Sequence, residues 1–114
     1  MARIILTTEA VEQSTYVIPV TFRDEDATAI APDAVTWTLT DRHGVVINSR
    51  SDVAISSLAA TINIVLTGAD LDIQDDPDDG IRLVRIEAVY SSSGGSNLNL
   101  REEIEFSIRP LVAV

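Results

Sequence analysis

Six aspartates fall within ten positions, Asp70, Asp72, Asp75, Asp76, Asp78 and Asp79, and the run closes on Gly80. Carboxylate oxygens at that density are the ligands a hard cation such as Ca²⁺ takes. The spacing is not that of an EF-hand, because the glycine at the sixth position and the glutamate at the twelfth are both missing. Sandwich domains can bind calcium in loops at one end, so Asp70–Gly80 stands as a candidate site. The competing reading is a solvated acidic connection, in which the aspartates and Pro77 break regular structure ahead of the next strand.

His43 beside Asp41 has the elements of a general base. It is the lone histidine, and no G-x-S-x-G elbow offers a serine for it to activate, so a turn residue is the simpler expectation. Glu102, Glu103 and Glu105 invite comparison with the paired carboxylates of glycoside hydrolases. On a strand, however, Glu103 and Glu105 share the solvent face two residues apart, which is ordinary. Glu102 falls on the apolar face, expected at the rim or beside an arginine such as Arg85. The chain has no cysteine, and all eight basic residues are arginine. That removes disulfides, thiolate nucleophiles, Schiff-base lysines and the P-loop lysine. The expectation is a protein that is not an enzyme, with no catalytic residue, no cofactor and no assigned metal site.

Charge narrows the partners. Eighteen acids stand against eight bases, a net charge of −10. Such a surface is repelled by nucleic acid and by anionic lipid. No run approaches the ~20 apolar residues of a membrane span. The start, Met1 to Leu6, is too short and too soon followed by threonine and glutamate to read as a signal peptide. Synthesis in a cytoplasm is the expectation.

The elements that must position these residues are strands. Val, Ile and Thr make up 35 of the 114 residues. Period-two alternation places Tyr16, Ile18, Val20 and Phe22 on one face, and likewise Ile62, Ile64 and Leu66. Val84, Ile86, Ala88 and Tyr90 form a third such set, and Leu98, Leu100, Ile104, Phe106 and Ile108 a fourth. Pro19 marks an edge or a bulge. Gly44 can close a hairpin after Asp41. Ser91–Ser96 reads as a flexible loop. Seven strands are expected, roughly 3–8, 15–23, 34–41, 44–49, 60–67, 82–91 and 98–109. That count favours a single immunoglobulin-like β-sandwich of antiparallel strands spanning residues 1–114, all-β, with Trp37 buried on the third strand. A barrel is the rival fold. All five aromatics fall on core faces, which leaves no ring to stack on a sugar.

Both ends of the chain are apolar. Ile4, Ile5 and Leu6 at one end, and Leu111, Val112 and Val114 at the other, are candidate partner contacts, because an extended tail can add a strand to a neighbour's sheet. The alternative is that both are edge strands of this domain.

The stretch Ala34-Val35-Thr36-Trp37-Thr38-Leu39-Thr40-Asp41-Arg42-His43-Gly44-Val45-Val46-Ile47-Asn48-Ser49-Arg50 resembles a segment of the small immunoglobulin-like structural proteins of tailed bacteriophages. The pieces Ile64–Leu71 and Arg82–Tyr90, and the ending near Phe106-Ser107-Ile108, fit the same resemblance, which covers about residues 16–112. It implies a non-enzymatic virion component: a capsid decoration protein, or a neck or tail protein at the head–tail connector. Its implied partners are other virion proteins and copies of itself in a homo-oligomer, with no small-molecule substrate. It implies location in the virion after synthesis in the host cytoplasm, and transfers no catalytic residue. The alternative is an immunoglobulin-like binding module of a bacterial surface protein, recognising carbohydrate or protein.

Overall fold

The computed structural model describes residues 3–73 and 80–110. Its strands are β1 (Arg3–Ile5), β2 (Ala10–Val11), β3 (Thr15–Thr21), β4 (Ala34–Asp41), β5 (Val53–Ala54), β6 (Thr61–Thr67), β7 (Ile81–Ser92) and β8 (Gly95–Arg109). One short 3-10 turn, Gly68–Leu71, follows β6. β-Branched residues at alternate positions suit a pleated, half-buried surface, and that is where they lie.

The strands form two layers. The larger sheet runs β1-β8-β7-β4-β5, with β2 also on β8, and the smaller is β3-β6. The chain is therefore a β-sandwich, and the barrel is excluded. Its strand order is consistent with an immunoglobulin-like domain, with β4, β7 and β8 on one layer facing β3 and β6 on the other. The antiparallel expectation needs one correction. β1 and β2 both pair parallel to β8, placing Arg3 opposite Glu103 and Ala10 opposite Ile108.

The core lies between the layers. Ile18, Val20 and Phe22 meet Ile62, Ile64 and Leu66 on the small sheet; Val35, Trp37, Leu39, Val84, Ile86, Ala88, Ile104, Phe106 and Ile108 face them. The rings of Tyr16 and Phe106 stack at 5.0 Å between centroids. Full burial of a Leu, Ile or Phe side chain stabilises by about 1.5–3 kcal/mol, so this face dominates the fold's energetics.

The first strand ends at Ile5 instead of continuing to residue 8, and the short strands β2 and β5 lie where none was expected; two further segments depart more sharply. Residues 44–49 do not form a strand. After a turn in which Gly44 takes φ +86°, the chain follows β4 irregularly: Ile47 N–H donates to Leu39 O, and Leu39 N–H donates to Arg50 O. Asn48 and Ser49 adopt left-handed φ of 52° and 57°, which bulges the segment away from a regular ladder. Ser91–Ser96 is not a loose loop. β7 and β8 continue through it and close on the pair Ser92–Gly95 after a register shift. The ladder runs on to Ser92–Gly95 because Gly95 takes φ +142°, which a side chain would resist, just after the turn.

Candidate functional site

Polar side chains with chemical potential collect at the two ends of the sandwich. At one end, Asp70 is fully buried beneath the 3-10 turn. Its Oδ1 accepts from Asn48 Nδ2 and from Arg50 Nε, each at 2.8 Å, and its Oδ2 accepts the Thr67 amide at 3.1 Å. Burial pushes the carboxyl pKa up; the hydrogen bonds from Arg50, Asn48 and Thr67, with the Arg50 charge, outweigh that and leave it lowered. The bulge at Asn48 and Ser49 is what turns Asn48 and Arg50 toward Asp70. The result is an ion pair tying the small sheet's last turn to the segment that edges the large sheet.

The same end holds two more buried polar groups. Glu12 accepts the Ile73 amide at 3.1 Å, while Gln13 N–H donates to Leu71 O. Arg82, buried on the inner face of β7, donates to the carbonyls of Ile81 and Asp72. Gly80, at φ +74°, packs so closely that a Cβ there would lie 2.9 Å from the Ile108 carbonyl oxygen.

Of the acidic candidate run, Asp70 is thus a structural anion with its oxygens taken up by protein donors. Asp75, Asp76, Asp78 and Asp79 lie outside the described residues, and among the described residues no three metal-ligating side chains cluster. Asp41 is a turn former: its Oδ1 accepts the amides of His43 and Val45 at 2.8 and 3.0 Å. Glu102 lies on the inner side of β8, half-buried, in a cleft of about 280 Å³ lined by Thr21, Arg23 and Leu100. Burial raises its pKa. The expected pairing with Arg85 does not occur, because Arg85 projects from the opposite face of the sheet, where its Nε lies 3.2 Å from Glu87.

At the other end, Glu25 reaches across from the loop after β3 to the β7–β8 hairpin. Its carboxylate accepts from the Tyr90 hydroxyl at 3.0 Å and from Ser92 Oγ at 2.7 Å. Asp24 shapes that loop by accepting the amides of Asp26 and Thr28. The Ser92 hydrogen bond leads the causes that lower the Glu25 pKa.

The apolar ends fall as follows. Ile4, Ile5 and Leu6 belong to the β1 edge of the domain's own large sheet. Leu6 packs against the core, Ile4 is partly exposed, and Ile5 is 63% exposed beside Glu105. Leu111, Val112 and Val114 lie outside the described residues.

Sequence reasoning missed Asn48, Arg50 and Glu25. The signal for Asp70 was present in Thr67-Gly68-Ala69-Asp70, the spacing at which an acidic side chain returns to the amide three residues earlier. No local pattern announces Arg50 or Glu25, since their partners are 20 and 67 residues away. Comparison with family models, with curated proteins and with solved structures gives no match to this chain, so the fold and these two polar ends are what define it.

Proposed function

We propose that the chain is a non-enzymatic structural protein of a tailed-phage virion, acting through protein–protein contacts in a symmetric assembly as a decoration, neck or tail component. The observation that carries the reading is how the reactive-looking groups are used. Asp41 through Oδ1, and Asp70 and Glu25 through both carboxylate oxygens, accept from protein donors and so hold loops or sheets in place. The residues resembling the phage proteins, 34–50, form β4, its turn and the bulged segment that supplies Asn48 and Arg50, and so belong to the frame. Exposed Ile5 and the expected tail contacts Leu111, Val112 and Val114 remain the proposed docking groups, together with Ile4 and Leu6. Burying three such side chains would contribute several kcal/mol at ~25 cal/mol per Å², before ordering costs. Repetition around a ring or shell makes weak contacts durable.

The test is incorporation. Tagged full-length chain and a variant lacking residues 110–114 are supplied to particles assembled without it, and both are followed by co-sedimentation. The full chain is expected to co-sediment at a fixed ratio and the truncated chain to do so less, while keeping its melting transition. Failure of the full chain to bind any particle overturns the reading in favour of a surface-protein binding module.

A further inference from the structure

A β-sandwich with two open sheets has four edges, and each is a row of backbone donors and acceptors that another strand can extend. Three are blunted here. The large sheet ends in β1, three residues long, and β5, two residues long. The small sheet ends on one side in β3, which carries Pro19 at one of its outward amide positions. The fourth edge, β6, is Thr-Ile-Asn-Ile-Val-Leu-Thr, with seven residues in unbroken register against β3 and neither proline, charge nor bulge.

The ladder fixes which groups of β6 are open. Phe22 N–H donates to Ala60 O, and amides alternate sides along a strand. Those of Thr61, Asn63, Val65 and Thr67 therefore point away from β3. The Thr67 amide is taken by Asp70 Oδ2. Among the described residues, no main-chain bond fills the remaining three positions.

We propose that β6 pairs antiparallel with β6 of a second copy about a two-fold axis at Asn63, joining two small sheets into one of four strands. Charge selects the occupant. Copies carrying −10 repel wherever their charged surfaces meet, but the outer face of the small sheet has none: Thr15, Val17, Pro19, Thr21, Thr61, Asn63, Val65 and Thr67 are all exposed and uncharged. Register follows from the open amides. With the axis at Asn63, Thr61 pairs with Val65 of the partner subunit, Asn63 meets its own symmetry mate, and all three open amides find carbonyls. An axis at Ile64 would require the Thr67 amide that Asp70 already holds. The two Asn63 side chains then lie side by side, where their amides can bond to each other. Seven residues span only ~24 Å, so the dimer is weak and concentration-dependent. This goes beyond the assembly reading and does not need it, since the dimer forms without a particle.

Sedimentation equilibrium of the full chain, from micromolar to millimolar, tests the pairing. A monomer–dimer equilibrium is expected, tightening with added salt as repulsion is screened. Asn63→Lys lowers the net charge, so general repulsion falls, yet it sets like charges at the axis; dimer Kd should rise about tenfold or more. An equal mixture of Asn63→Lys and Asn63→Asp should restore association as a heterodimer. Should Asn63→Lys fail to fold, hydrogen exchange of the wild type decides: the amides of Thr61, Asn63 and Val65 should slow as concentration rises. A wild type that stays monomeric throughout, or a dimer indifferent to Asn63→Lys with those amides unprotected, overturns the proposal.

Discussion

Asp70 and Glu25 make similar bonds at opposite ends of the sandwich, and the molecule depends on them to very different degrees. Each carboxylate accepts from at least two side chains distant in sequence. Asp70 does so fully buried, with the charge of Arg50 beside it, whereas Glu25 does so at the surface against neutral hydroxyls. In water the alternative partner for Glu25 is always present, so its bonds exchange at little net cost. For Asp70 the alternative is an unsatisfied buried anion. Burial, and not bond count, separates a keystone from a clasp.

The largest effect should come from the core that both ends cover. Trp37→Ala is expected to cost about 3–5 kcal/mol in denaturant unfolding, and this sets the scale for the rest. A blue-shifted tryptophan emission in the folded wild type checks the burial on which that figure rests.

Arg50→Met should cost about 3 kcal/mol near pH 7, because it leaves Asp70 buried without its counter-charge. The pH dependence sharpens the point. In the wild type the Asp70 pKa is lower folded than unfolded, so its stabilisation is present above the ordinary carboxylate range. It is lost as pH falls through the folded value. Without Arg50 only the Asn48 and Thr67 hydrogen bonds oppose desolvation, so the folded pKa moves up and the stabilisation gained above it shrinks. Melting temperatures measured from pH 3 to 7 on both proteins should diverge most at the neutral end.

Glycines test the same contrast through the backbone. Gly80→Ala at the Asp70 end forces a Cβ against the Ile108 carbonyl oxygen at a left-handed φ, and should cost about 1–3 kcal/mol. Gly94→Ala at the Glu25 end meets only the tip of the Glu25 side chain, 2.7 Å away, which can swing into solvent. Its unfolding midpoint should stay near wild type. Equal losses at the two glycines would erase the distinction between the ends.

Smaller effects remain. Glu102→Gln removes a carboxyl whose pKa burial raises, and so removes a group that weakens the fold as pH climbs through that value. It should gain about 0.5 kcal/mol at pH 7 and nothing at pH 3. Glu25→Ala should leave the melting temperature nearly unmoved, yet speed hydrogen exchange at Ser92 and Gly94, where local opening is enough.

The sequence announced the strands because a core with two faces imposes period two on every strand that lines it. Ile18, Val20, Ile62, Ile64, Val84, Ile86, Ile104 and Phe106 are where alternation placed them. It overstated residues 44–49, where Val45-Val46-Ile47 has strand composition but Asn48 and Ser49 accept left-handed backbone, and the Asp70 pairing rewards the bulge. It understated Ser91–Ser96, because a serine and glycine run signals flexibility only when nothing distant grips it, and Glu25 does. The acidic run looked like a ligand set or a solvated linker, and burial of Asp70 was invisible without its remote arginine. Local chemistry was legible; long-range polar pairing was not, since any of eight arginines could have served.

The parallel pairing of β1 and β2 with β8 has a consequence for how the chain is made. Residues 3–11 leave the ribosome well before their ladder partners, residues 103–109. No hairpin can hold them in the interval. β1 and β2 must wait, unpaired, until β8 is made, even though β4 and β7 can pair before it. Non-local pairing of this kind places such a chain among slow folders, on a scale of milliseconds to seconds. In a series of stalled nascent chains, protease resistance of the first strand should appear only when residue 109 has cleared the exit tunnel, in one late step.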